Sequence, residues 1–286
     1  MRLGFRIADV FTDVPFAGNQ LCVFPEVPPD LDPATMQALA LEIGFSETTF
    51  VLEAGGDRYR MRIFTPDEEI PFAGHPTLGT AFVLARDGRV TPTVIQTTDA
   101  GEVPVTIDLD AGTGWMRQLP PSFGDVVDDR TLVAAAAGLG PDDIVPELPV
   151  QPVSTGLPHL MVPIRDEQTL RRAERSGPGS LEVHRRTGAA SLYLFAVRGV
   201  GDVLARMFDP LLGIGEDPAT GSAAWPLGAY LSRHLLAGMP GEVVVSQGDM
   251  VGRPSRLFVA VVGADPDWEV RVGGGVRVVG EGTFEV

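Results

Sequence analysis

Apolar and polar positions alternate along most of this chain, and helical spacing is confined to a few stretches. Residues 5–11, 20–24, 48–52 and 59–64 predict strands, the last with arginines alternating against apolar residues. Asp32-Pro33 predicts a helix start, with Asp as N-cap and Pro at the first helical position. Met36, Leu39, Ala40 and Ile43 continue it at helical spacing, and Gly44 closes it. Residues 94–97 and 103–109 predict a hairpin across Asp99-Ala100-Gly101, and residues 114–118 a further strand. The proline pair in Leu119-Pro120-Pro121-Ser122 is the best domain boundary. Beyond it, helices are expected over 129–138 and 166–175, and strands over 153–163 and 191–197, while the segment up to His184 has no clear period. The chain ends in β-like runs at 242–245, 257–262, 269–272, 276–279 and 283–286.

One pattern occurs twice. Arg62-Ile63-Phe64-Thr65-Pro66 is followed by Pro71-Phe72-Ala73-Gly74-His75-Pro76, and Arg206-Met207-Phe208-Asp209-Pro210 by Glu216-Asp217-Pro218-Ala219-Thr220-Gly221-Ser222. Each reads as a strand, a loop and Pro-x-x-Gly-(His/Ser), then an apolar run of helical length. A unit recurring half a chain later implies two similar domains, whose helix N-termini could share one site. Such an N-terminus presents N–H groups and partial positive charge, which favour a carboxylate or phosphate. Pro76 is suited to the first helical position, making Gly74 or His75 the cap. Pro226 is tolerable only near a helix start, so the second helix should begin close to Gly221 or Ser222.

A chain of 286 residues fits two domains. The net charge of −16 argues against nucleic-acid or anionic-membrane partners. No apolar run approaches the roughly 18 residues of a membrane span, and the start has no signal-peptide layout, so a cytoplasmic location is expected. All 22 basic residues are arginine. Without lysine there is no Schiff-base chemistry, no pyridoxal phosphate linkage and no Walker-type phosphate loop. Cys22, the only cysteine, sits in an apolar run and reads as a core residue more readily than a reactive thiol.

Glu47 lies where a helix has ended and a strand begins, a place where scaffolds hold catalytic groups; it is otherwise a solvated carboxylate. His75 is a helix cap or, kept neutral by the helix dipole, a proton carrier. Asp217 either compensates a helix dipole or reaches what that helix binds. His184 and His234 are expected to face solvent.

With Ser46-Glu47-Thr48-Thr49-Phe50-Val51, Gly18-Asn19, Gln247-Gly248 and Gly252-Arg253-Pro254-Ser255, these motifs resemble, in collinear order over essentially the whole chain, the phenazine biosynthesis PhzF-like isomerase family. The resemblance implies the α+β fold of diaminopimelate epimerase. Two pseudo-symmetric domains each wrap a curved, mostly antiparallel sheet around a central helix, here 76–86 and 222–236, with the site between them. The domains would be 1–118, with 276–286 returning to it, and 119–275. The implied chemistry is a cofactor-independent proton shift on a small carboxylate substrate, as in isomerisation of trans-2,3-dihydro-3-hydroxyanthranilate. Glu47 matches the general acid/base, and His75 and Asp217 the assisting residues. Asn19, Gly74, Gly221 and Ser222 match substrate-binding positions. No cofactor or metal is implied, and family members are commonly homodimers. Gln20 stands where the family often has proline, and 199–205 lacks an arginine cluster expected of a phenazine enzyme; both bear on the substrate. Alternatives are a non-catalytic ligand- or protein-binding member and an amino-acid epimerase, which would need two cysteines.

Overall fold

Short strands with alternating burial follow one another through the computed structural model, which describes residues 1–98, 101–175, 177–209, 215–236, 241–263 and 269–286. Chain contacts divide it into two compact units, Met1–Gln118 with Gly273–Val286, and Leu119–Val272.

The first unit contains β1 (Arg2–Val10), β2 (Asn19–Phe24), α1 (Pro33–Ile43), β3 (Glu47–Gly55), β4 (Arg58–Phe64), β5 (Glu69–Ile70), α2 (Gly74–Arg86), β6 (Thr93–Thr98), β7 (Gly101–Asp108) and β8 (Thr113–Arg117). Asp32 caps α1 by accepting from the Thr35 N–H, and Gly44 ends it at φ 69°. β1–β2, β3–β4, β4–β5, β6–β7 and β7–β8 pair antiparallel, whereas β2–β3 and β4–β6 are parallel. α2 packs on β1, β2, β3, β6, β7 and β8. It is buried from Gly74 to Ala85, as an all-round apolar helix must be. At Gly79 it comes so close that an added Cβ would stand 2.6 Å from a Leu21 methyl. Phe24, Phe50 and Phe64 fill a second core beneath α1, together with Cys22.

The second unit contains β9 (Ser122–Phe123), α3 (Arg130–Ala136), β10 (Gln151–Ser154), β11 (Pro158–Pro163), α4 (Glu167–Arg172), α5 (Gly177–Thr187), β12 (Ser191–Gly199), β13 (Asp202–Phe208), β14 (Glu216–Asp217), α6 (Gly221–His234), β15 (Gly241–Gln247) and β16 (Ser255–Val262). β10–β11 is antiparallel, β11–β12 parallel, β12–β13 and β13–β14 antiparallel, and β13–β15 parallel. This repeats the order of the first unit from β1 to β6, down to the register. Thr48 faces Phe64 across β3–β4 and Leu192 faces Phe208 across β12–β13. α6 packs on β10, β11, β15 and β16. The fold is α+β, of the diaminopimelate epimerase type, built twice around a central helix.

Several expectations are corrected. α2 starts at Gly74 with Ala73 as N-cap, because Ala73 is extended and its carbonyl takes the Thr77 N–H. Pro76 is therefore the third helical residue, where its missing N–H is still among those a helix start leaves unpaired. α6 starts at Gly221, as expected, but Pro226 is then its sixth residue, past the first turn and unable to donate to the Ser222 carbonyl. The segment to His184 is helix α5. His184 and His234 are half-buried: His184 Nδ1 bonds the Ala189 carbonyl at 2.8 Å, and His234 packs 4.7 Å from the Tyr230 ring. The last three β-like runs form one strand, β17 (Glu269–Glu285), which pairs antiparallel with β1. Its glycines do not break it. They let it pass where a Cβ at Gly273 would stand 2.4 Å from Trp115 and one at Gly275 would stand 2.4 Å from the Thr12 carbonyl. Asp99, Ala100 and Pro210 lie outside the described residues.

Candidate active site

The repeated motif builds the same clamp in both units. Arg62 makes a two-pronged pair with Glu69, at 2.6 and 2.5 Å, and lies over the Phe64 ring. Arg206 pairs in the same way with Glu216, at 2.9 and 2.6 Å, and lies over Phe208. A planar guanidinium matches a carboxylate in this way and stacks on an aromatic face, which lysine cannot do. Each clamp fixes a two-residue strand four residues ahead of a buried helix start, Gly74 in one unit and Gly221 in the other. Neither helix has a side-chain N-cap bond.

In the first unit the clamp delivers His75, the second residue of α2, to Glu47, the first of β3. Glu47 Oε2 stands 3.4 Å from His75 Nε2, and the two side chains are 12% and 4% exposed. Asn19, buried at the start of β2, presents its Nδ2 to His75 Nδ1 at 3.2 Å. Its Oδ1 accepts from Ser46 Oγ at 3.2 Å. With the Asn19 amide nitrogen toward the ring, Nδ1 is the acceptor and Nε2, 3.4 Å from Glu47 Oε2, carries the proton. The loop before Asn19 is tightly held: Phe11 and Phe16 have φ of 65° and 67°, and the Phe16 N–H donates to Asp9 Oδ2 at 2.7 Å. Left-handed backbone at bulky residues costs about 1–3 kcal/mol each and persists where surroundings impose it, commonly at functional sites. Gly18, at φ 69°, has no room for a side chain, since a Cβ would stand 2.4 Å from the Val10 carbonyl.

In the second unit Asp217 is buried, and its Oδ2 accepts from Thr220 Oγ1 at 2.6 Å. Gln247, fully buried, ties this corner together. Its Nε2 donates to the Asp217 carbonyl at 2.8 Å and to Thr220 Oγ1 at 2.9 Å. Its Oε1 accepts from Tyr193 Oη at 3.0 Å and from the Thr220 N–H at 3.3 Å. Burial first, then the Asp217 charge, push the Tyr193 phenol up, so it stays a donor. Gly248, at φ 84°, must be glycine because a Cβ would stand 2.2 Å from the Arg253 carbonyl and 2.5 Å from that of Pro218. Ser222, second residue of α6, is 3.2 Å from Nε2 of His159, whose Nδ1 is 2.7 Å from Ser191 Oγ. Burial lowers the His159 pKa to about 3, so this imidazole is neutral.

Of the residues expected at a site, Asn19, Glu47, Gly74 and His75 thus come together in the first unit, and Asp217, Gly221 and Ser222 in the second. Asp217 bonds to Thr220. Ser46, Tyr193, His159 and Ser191 were not foreseen. Cys22 is buried, and burial pushes its thiol up to about 12. Among the described residues no three His, Cys, Asp or Glu side chains are grouped as metal ligands, and no helix is long and apolar enough to cross a membrane.

A doubled α+β fold with an acid–imidazole pair at one central helix start and a buried carboxylate beside the other defines the class. The chain belongs to the phenazine biosynthesis-like protein family, whose model matches residues 8–282. It is 35% identical to the trans-2,3-dihydro-3-hydroxyanthranilate isomerase of Pseudomonas fluorescens, with 98% of each chain covered. It is also 35% identical to the uncharacterized isomerase YddE of Escherichia coli K12, with 88% of each covered. Its structure superposes on the Bacillus anthracis phenazine biosynthesis protein of the PhzF family with a TM-score of 0.90, at 26% identity over the whole of both chains. The chain is an isomerase of the PhzF type.

Proposed function

We propose that this isomerase shifts a proton between carbons of a small carboxylate-bearing substrate, of the dihydro-hydroxyanthranilate type, without a cofactor. The observation that carries the reading is the Glu47 carboxylate 3.4 Å from Nε2 of the buried His75 ring, whose Nδ1 meets the Asn19 amide at 3.2 Å. Glu47 takes the proton from the carbon bearing the hydroxyl, and the same proton equivalent is returned at another ring carbon, so the net change is isomerisation alone. A base that removes a proton from carbon needs a partly desolvated carboxylate and a donor to steady it as its charge changes. His75 supplies that donor. Asp217, buried and bonded to Thr220, is the assisting carboxylate of this reading. The N–H groups at the start of each central helix, at Gly74 and at Gly221 and Ser222, the Ser222 hydroxyl and the Asn19 amide are the substrate-binding groups of this reading, each suited to a carboxylate or ring oxygen. The working form is a homodimer in the cytoplasm, with no nucleic-acid partner. An epimerase that uses two cysteines finds one here, and that one is buried and held as the thiol.

The test is proton NMR of trans-2,3-dihydro-3-hydroxyanthranilate with the protein in deuterated buffer. Turnover should place deuterium at the carbon that receives the proton. Glu47→Gln should lower the rate by about 10³-fold or more, as loss of a general base does, with stability changed by less than about 1 kcal/mol. A Gln variant working at the wild-type rate would sink the assignment.

A further inference from the structure

The two units place different residues at matching register positions. Leu21 faces Glu47 across β2–β3, and His159 faces Ser191 across β11–β12. His75 and Ser222 are each second in their central helix. Where the first unit has leucine, a carboxylate and an imidazole, the second has an imidazole between two hydroxyls. Leucine fills that strand position in the first unit without any polar partner. A fully buried histidine in its place must have both ring nitrogens satisfied, and here both are.

A neutral ring donates from one nitrogen and accepts at the other. At 2.7 Å, the Ser191 Oγ to Nδ1 contact has the length of a bond donated by a hydroxyl. At 3.2 Å, the Nε2 to Ser222 Oγ contact has a length within the range of an N–H donor. The shorter contact fits a hydroxyl donor and the longer an N–H donor, that is, Ser191 O–H to Nδ1 and Nε2–H to Ser222 Oγ. Ser222, already accepting from the ring, must turn its own O–H elsewhere.

We infer that His159 is a positioning residue that fixes Ser222 as a hydrogen-bond donor, so that this helix start selects ligands presenting an acceptor such as a carboxylate oxygen. A group presenting an ammonium there would meet the wrong polarity. Its burial keeps the ring neutral and a poor base, so the arrangement orients Ser222 and does not activate it as a nucleophile. The catalytic consequence rests on the proposed isomerase reading; the tautomer does not.

Two measurements separate these. In protein labelled with ¹⁵N-histidine, long-range ¹H–¹⁵N spectra, assigned against His159→Gln, should show His159 protonated at Nε2 only from pH 5 to 8. A proton on Nδ1, or a charged ring in that range, overturns the inference whatever the activity. In turnover of trans-2,3-dihydro-3-hydroxyanthranilate, Ser222→Ala and His159→Met should each raise KM about tenfold with kcat within about twofold. The double variant should be no worse than either. His159→Gln, whose amide N–H can reach Ser222, should restore KM to within about threefold of wild type. Additive losses, or a fall in kcat at unchanged KM, overturn it. If the wild-type protein leaves this compound unchanged, the substrate assignment fails while the spectra still decide the tautomer.

Discussion

Replacing Gln247 with glutamate tests whether the corner around Asp217 is held as described. Gln247 uses both lone-pair directions of Oε1 and both hydrogens of Nε2, and none of its surface is exposed. Glutamate has the same shape but sets an oxygen where the amide nitrogen donated to the Asp217 carbonyl at 2.8 Å and to Thr220 Oγ1 at 2.9 Å. Protonated, it can donate to only one of them. The loss is one hydrogen bond plus one buried acceptor left unpaired, about 2–4 kcal/mol. Ionised, it donates to neither and buries a charge, so its folded pKa must rise above the unfolded value of about 4.3. Between those two values the folded state holds a proton that the unfolded state has lost. Stability then falls with rising pH, by about 1.4 kcal/mol per unit. Thermal unfolding of wild type, Gln247→Glu and Gln247→Met between pH 4.5 and 6.5 reads this out. The Glu variant's midpoint should drop away from wild type by about 2–3 °C per pH unit. The Met variant should keep a constant gap. Parallel gaps for Glu and Met would refute the hydrogen-bond assignment.

Three further outcomes follow from the same geometry. Arg206→Met should cost about 3–5 kcal/mol, because it strands the Glu216 carboxylate where both partners are about nine-tenths covered, whereas Arg62→Met, at a more exposed pair, should cost about 1 kcal/mol or less in denaturant unfolding. The His159 pKa is lowered on folding, so the unfolded chain binds the extra proton. Wild type should therefore lose about 1.4 kcal/mol per unit relative to His159→Gln as pH falls below about 6.5, and equal pH profiles for the two would contradict its burial as a neutral ring. Cys22, buried with its thiol pushed up to about 12, should resist iodoacetamide in the native protein and react only on unfolding; rapid native labelling, followed by mass spectrometry, would show that the site opens.

Local chemistry was legible wherever a residue acts on its own neighbourhood. Asp32 caps α1 three residues away and Gly44 adopts the left-handed turn that ends it. The repeated Arg-x-Phe motif marked both clamps because Arg62 and Arg206 bind acids seven and ten residues on. Asn19 carried a signal in composition too: it is the chain's only asparagine, at a point that needs a donor and an acceptor on one short side chain. The start of α2 was read two residues late, because proline is tolerated at any of the first few positions and so does not single out the first.

What only the tertiary structure decided is which distant residues meet. His159 lies 32 residues from Ser191 and 63 from Ser222, and Tyr193 lies 54 from Gln247. Hydrophobic periodicity says which face of a strand is buried, but not which strand lies beside it. The parallel pairing of β11 with β12 sets His159 beside Ser191, and the packing of α6 on β11 brings Ser222 to the same ring. Glycine shows the same limit: the run before Val276 reads as a break in sequence, yet it continues a strand because Trp115 and Thr12 occupy the space a side chain would need. Backbone propensity and capping act within a turn or two of helix, whereas register and close approach are properties of the assembled sheet.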